Sequence, residues 1–447
     1  MTRGRIIIVG LVAGWLGAST ALAAPTAPAP LDPSTRTERF AEGLSGQLTV
    51  ALANHPVVAA DFARWHAAVA SVSGARSLPS PTVDFGVFLR SVETRVGPQV
   101  ARVGVRQAVP WPSVLKKSGT AASASAEAAG ARFEATVLDV ARTVEDAHWA
   151  LWAVRQTRAI HTDHRELLAG LSATVRGRVE VGAANLADLQ QVDLAHAVLS
   201  DDIARMDEAE RAALAGLRAA VGAWTDDPLP TPESPGGSWL PDEELLLLEA
   251  AATAHPRLQA ARHDVAAAEA RVDVARGQRL PGFVVGADWV MVGDGEGTHV
   301  APEESGQDAL AVGLGLQVPL WQKAAADRVT GAEAGVRAAR ATADQRALDA
   351  RAQLHQAIAD VESSGRRTAV IQGTLLPQAE AAYASLLGTY TAGSSSVAQA
   401  LLAQQALLQL RVDLVRAQAD HARARARLRS VCGRDVSFRR LVQVERP

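Results

Sequence analysis

The chain of 447 residues carries 45 Lys and Arg against 48 Asp and Glu, with both signs interspersed, which argues against a nucleic-acid binder because such proteins carry a basic face. Its single cysteine, Cys432, rules out an intramolecular disulfide, so packing or assembly must hold the protein together. Aromatic residues are only 4% and alanine-rich stretches are long, which points to extended helices rather than a conventional mixed core.

Arg3 and Arg5 precede an apolar run from Ile6 to Ala18 and the small-residue exit Ala21-Leu22-Ala23, the pattern of an export signal cleaved near Ala24. Residues 1–23 are therefore read as a signal peptide. No cysteine lies between Ala23 and Leu31, so no lipid anchor is expected. The mature chain offers no run of about 18 apolar residues, and no transmembrane helix is expected.

Beyond the signal the chain repeats itself. His55-Pro56 to Leu78-Pro79 resembles His255-Pro256 to Leu280-Pro281, Val109-Pro110-Trp111 is echoed by Val318-Pro319-Leu320-Trp321, and Gly182 to Gly222 aligns without a gap onto Gly393 to Gly433. The first repeat is assigned to 24–224, a Pro-, Gly- and acid-rich linker to 225–241, the second repeat to 242–433 and a tail to 434–447. Each repeat reads as a leading helix of about 25 to 35 residues, two strands and a long helical hairpin turning on glycine.

The strands are expected at about 83–92 and 100–109, and again at about 283–292 and 308–318. Ten residues suffice to cross a bilayer as a tilted barrel strand. Leu310, Val312, Leu314, Leu316 and Val318 alternate with Ala309, Ala311, Gly313, Gly315 and Gln317, and Val103, Val105 and Val109 with Arg102, Gly104 and Arg106. One face is apolar and the other small or polar. Four strands cannot close, so three chains giving twelve strands are the natural solution to the unpaired edges. Trp111 and Trp321, just beyond strands two and four, suit an interfacial aromatic belt.

Val137, Val140, Val144, Ala147, Leu151 and Val154 step by three and four, as do Leu189, Val192, His196, Leu199, Ile203 and Met206, a coiled-coil rhythm. Hairpins with two helices of about 50 residues each are expected, forming a rod about 75 Å long.

These pieces together resemble the TolC superfamily of outer-membrane efflux proteins. They include His255-Pro-Arg-Leu-Gln-Ala-Ala-Arg262, the Leu-Pro before each first strand, the Val-Pro-(x)-Trp after each last one, and the turns Val181 to Leu189 and Tyr390 to Val397. The resemblance implies a mainly α fold with a small β part: a trimeric 12-stranded outer-membrane β-barrel continued by a periplasmic α-helical barrel. It implies a homotrimer in outer-membrane lipid, a periplasmic adaptor and an inner-membrane pump such as an RND transporter, with no cofactor and no enzymatic activity.

By the same resemblance the turns Val181, Gly182, Ala183 and Ala392, Gly393, Ser394 would dock the adaptor. Asp188, Asp193 and Gln399 would line the channel behind them. Family members often place aspartates six and nine residues beyond the second turn glycine, but here those positions are Gln399 and Leu402. Val92 to Gln99 resembles members associated with heavy-metal cation export.

The chain contains no zinc-protease motif, phosphate loop, nucleophile elbow or cysteine cluster, and no metal site is assigned. His161 and His164, three apart on one helix with His148 farther back, are the residues that could contact a metal. No carboxylate or cysteine completes a ligand set. A periplasmic coiled-coil scaffold is the alternative reading, though it leaves the paired strands without a purpose.

Overall fold

A computed structural model describes residues 31–90, 92–222, 234–235, 253–294, 305–392 and 394–433. The expected signal segment, nearly all of the linker, the tail and Gly393 lie outside the described residues.

The first repeat opens with three helices, α1 (Pro33–Ala41), α2 (Leu44–Asn54) and α3 (Pro56–Arg76), rather than the single longer helix expected. Gly43, at φ 83°, breaks α1 from α2, and Pro56 starts a new helix because it has no amide to continue the old one. The corresponding α6 (Pro256–Gly277) of the second repeat has 22 residues. In both repeats the histidine before the proline caps the helix: His55 Nδ1 accepts the Val57 amide at 3.2 Å and His255 Nδ1 that of Arg257 at 3.1 Å.

The sheet comprises β1 (Thr82–Val87), β2 (Glu93–Thr94), β3 (Gly97–Val109), β4 (Gly282–Val292) and β5 (Ala309–Gln317). Its order is β1-β3-β4-β5, every pairing antiparallel, with β2 turning back onto the start of β3. The first strand ends at Val87 rather than near 92. Part of the segment expected to be a polar loop is instead paired, Glu93 with Pro98 and Thr94 with Gly97. β3 and β4 join the two repeats into one sheet.

The hairpins are unequal. α4 (Pro112–Glu180) has 69 residues and α5 (Leu186–Val221) 36, in place of two helices of about 50. At 1.5 Å per residue α4 is on the order of 100 Å long. The second hairpin runs through α7 (Gln322–Val370), a π turn (Ile371–Leu375) and α8 (Leu376–Thr391), then returns as α9 (Val397–Val431). The π turn lies just ahead of Pro377, which has no amide to donate backwards.

The returning helices are short because each stops where its own repeat began. α5 ends on Gly222, at φ 70°, where an added Cβ would lie 2.8 Å from the His55 ring and 2.9 Å from its Cα. At the equivalent point Gly433, at φ 63°, ends the second repeat against His255 and Pro256. α3 and α6 fill the remaining height beside the descending helices.

α4 packs along α3, α5, α6 and α9, and α7 along α6 and α9. Buried alanines, including Ala121, Ala124 and Ala128 of α4 and Ala260, Ala267 and Ala268 of α6, let these helices approach closely. Lys117 pairs with Asp273 at 2.7 Å, and Arg132 with Asp264 and Arg257 with Asp139 also bridge α4 and α6. The largest apolar cluster joins Phe40, Leu48 and Val50 to Phe133, Val144, Leu151 and Leu217 at the waist of the molecule. Cys432 is buried with Leu354, Val361 and Leu428 in a separate cluster.

Two glycine substitutions separate closure from propensity. Gly222→Ala forces a side chain into left-handed backbone against His55 and is expected to cost about 1–2 kcal/mol or more. Gly170→Ala, inside α4 ahead of its C-terminal turns with nothing within 4 Å of its Cβ, is expected to stabilise by up to about 1 kcal/mol. Thermal unfolding of the two variants, moving in opposite directions from the parent, checks this.

Candidate functional site

The sheet has two faces of opposite character, assigned by register. Phe85, Val103, Trp289 and Leu310 form one row across the four strands, and Val83, Val105, Ala287 and Val312 the next. This apolar face is exposed in the single chain: Phe85 is 70% exposed, Val312 78% and Leu314 77%. So much contiguous apolar surface requires lipid or another chain to cover it.

The opposite face carries glycine, alanine, Thr82, Val284, Val290 and four charges. In one row Asp84, Gly104 and Asp288 lie side by side, and in the next Arg106, Gly286 and Gly313. The Arg106 guanidinium pairs with Asp84 on one side and reaches Asp288 at 3.3 Å on the other, spanning β1, β3 and β4. Arg102 lies 3.6 Å from the same Asp288 oxygen. Gly104 leaves room for the bridge, since a Cβ there would sit 2.6 Å from that oxygen.

The other end of the molecule is the hairpin tip. Gly182, at φ 74°, ends α4, with its own amide bonded to the Val179 carbonyl and that of Ala183 to the Arg178 carbonyl at 2.7 Å. The Asn185 side chain accepts the Asp188 amide at 2.8 Å to start α5. In the second turn Ser396 caps α9, and the Ser394 amide bonds the Thr389 carbonyl at 2.9 Å. Val181, Gly182, Ala183, Ala392 and Ser394 are all exposed.

The two turns are tied together. Arg178 donates to the Tyr390 carbonyl at 2.6 Å and to that of Thr391 at 3.4 Å, while its guanidinium lies 4.9 Å from the centre of the Tyr390 ring. Leu171, Val175, Val192, Val397 and Leu401 pack with Tyr390 beneath this contact, gathering four helix ends into one cluster. Burial raises the Tyr390 hydroxyl pKa, Arg178 opposes that rise, and half-buried Asp188 adds a smaller upward push. Asp193 accepts from Ser172 at 2.7 Å, and Gln399 is exposed.

Trp111, at the start of α4, stacks on Phe283 of the apolar face with ring centres 5.8 Å apart, and Trp321 is 81% exposed at the equivalent point of the second repeat. His164 is fully buried, its Nδ1 3.2 Å from Gln404 Nε2 of α9, and burial pushes its pKa down to about 4. His148, with Nδ1 2.8 Å from Gln47, is held down to about 4 for the same reason. Burial also lowers the pKa of His161. Among the described residues no three His, Cys, Asp or Glu side chains converge as metal ligands.

Residues 247–434 match the family described as outer membrane efflux protein. Protein CyaE of Bordetella pertussis is 28% identical over 397 residues, covering 81% of each chain. The outer membrane protein VceC of Vibrio cholerae superposes with a TM-score of 0.72 at 18% identity, covering 90% of this chain and 99% of that one. CusC, solved in a study of conformational changes accompanying folding and transmembrane channel formation, superposes at 0.73 with 16% identity, covering 92% and 98%.

The likeness to these solved structures is one of fold, and in this chain the sheet lies at one end of a long helical body. Sequence reading placed the turns and the strand faces, but it missed the Arg178 latch and the three-strand reach of Arg106. Arg178 offered no local signal, because its partners lie 212 and 213 residues away.

Two predictions come from these ends. Arginine at Leu314, on the apolar face, is expected to cost the assembled barrel about 2–4 kcal/mol, whereas arginine at Gly313, facing open space, is expected to be tolerated. Trimer yield in the outer membrane would compare the two. Arg178→Ala removes the tie between turns and is expected to raise single-channel conductance several-fold without changing trimer yield; an unchanged conductance would show that the latch does not restrain the tip.

Proposed function

We propose that the chain is the outer-membrane exit duct of a tripartite export system, passing substrate from an inner-membrane pump and a periplasmic adaptor to the exterior without chemistry of its own. The observation that carries this is an open four-stranded sheet with an exposed apolar face and two unpaired edges, β1 and β5, attached to helices on the order of 100 Å long. Backbone groups at open edges have no partner in lipid, so only closure satisfies them. Three copies joined β5 to β1 supply twelve strands and continue the helices as a tube.

In this reading the segments Val181, Gly182 and Ala183 and Ala392, Gly393 and Ser394 of three chains give six docking elements around the periplasmic mouth, a repeating surface for a repeating adaptor. Asp188, with Asp193 and Gln399, lines the passage behind them. Trp111 and Trp321 belong to the aromatic girdle at the inner rim of the barrel. Heavy-metal cations are the proposed cargo class, supported by the likeness of Val92 to Gln99 to members of that export subgroup. Sensitivity of a deletion strain to metal ions, but not to dyes or antibiotics, tests the cargo.

Gly182→Val tests docking. A β-branched residue at φ 74° distorts the exposed turn, while the sheet lies at the far end of α4. Export and crosslinking to the adaptor are expected to fall at least tenfold, with the trimer still recovered from outer membrane. Normal export by this variant removes the docking assignment, and recovery of the parent chain as a soluble periplasmic monomer removes the duct.

A further inference from the structure

Within the exit-duct reading, on which this inference rests, the small-residue face of the sheet becomes the wall of the barrel bore. Asp84, Arg102, Arg106 and Asp288 are the only charged side chains that β1, β3, β4 and β5 place on that face. Asp308, at the outer end of β5, is directed elsewhere: it accepts the Trp289 indole N–H and the Val292 amide, both at 3.0 Å. The four bore charges sum to zero, and each is partly open to solvent, with side-chain exposures of 27–45%.

We infer that Arg106 sets the charge preference of the bore, neutralising Asp84 and Asp288 so that the wide exit passes cargo of either sign. Its guanidinium sits between the two carboxylates across Gly104, a position from which one cation cancels two facing acids. Arg102 contacts only Asp288 of the pair and leaves Asp84 to Arg106. Removing Arg106 leaves each chain with a net negative wall, and three copies with a ring of carboxylates. Such rings make a pore attract cations. Arg106 is therefore a specificity-determining residue, and Gly104 the residue that makes room for it.

A cysteine at Gly313 reads this potential. Gly313 shares the Arg106 row, two strands away through Gly286, about 10 Å across the sheet, and its Cβ direction is open. The measurement is the ratio of modification rates by cationic and anionic methanethiosulfonates, added from outside to cells displaying the full-length Gly313→Cys chain. Because the reagents enter the barrel directly, the hairpin tip does not affect the result. Cys432 is buried, and the chain without the added cysteine sets the background.

Arg106→Gln is expected to raise the cation-to-anion ratio about two- to fourfold at low ionic strength, fading at about 1 M salt as screening shortens the reach of the charge. Arg106→Lys, which keeps the charge, is expected to hold the parent ratio, and Asp84→Asn with Asp288→Asn to lower it. A purely structural Arg106 would leave the ratio unmoved, and equal ratios in parent and Arg106→Gln overturn the inference. If Arg106→Gln fails to reach the outer membrane, the double asparagine chain carries the same test with opposite sign, and its failure to lower the ratio overturns the inference equally. Should Leu314→Cys react from outside while Gly313→Cys does not, the facing is reversed, and the duct reading fails before the role of Arg106 is reached.

Discussion

An open sheet cannot remain open in lipid. Each unpaired amide and carbonyl along β1 and β5 lacks water to bond with there, and the apolar side chains on one face have no protein cover within the chain. Closure by other copies answers both needs together. In the proposed trimer the rest of the architecture follows: three identical edges meet around an axis, and the helices attached to the strands are carried into a ring.

The helices hold together by close approach rather than by bulky side chains. Buried alanines along α4 and α6 leave little area per residue, so the contacts extend over many turns and are supplemented by pairs such as Lys117 with Asp273. Among the described residues the two largest clusters are at the waist around Val144 and Leu151 and at the gathered helix ends around Tyr390. The waist is where each repeat closes on itself through histidine and glycine. The tip is where the two repeats are latched to each other.

Charge is distributed by the same two-faced logic. The apolar face of β1, β3, β4 and β5 carries no ionised group, while the opposite face carries a balanced set beside Gly104. Buried histidines belong to helix packing: His148 and His164 each bond a glutamine from another helix and stay neutral because burial disfavours the imidazolium.

Much of this was legible in the linear chain. Alternation along 309–318 placed Leu314 and Gly313 on opposite faces, because strand side chains alternate with a period of two, and the duplication matched Gly222 with Gly433 before either was seen to end a helix. Helix lengths were not legible, since alanine-rich sequence continues through the points where His55 and His255 cap a new helix against the end of the same repeat. Nor could the sequence join Arg178 to Tyr390, or Arg106 to both Asp84 and Asp288, because those partners come from segments far apart in the chain. Local periodicity is written residue by residue in the sequence, whereas pairing across strands and between hairpins depends on register, which the packed chain alone decides.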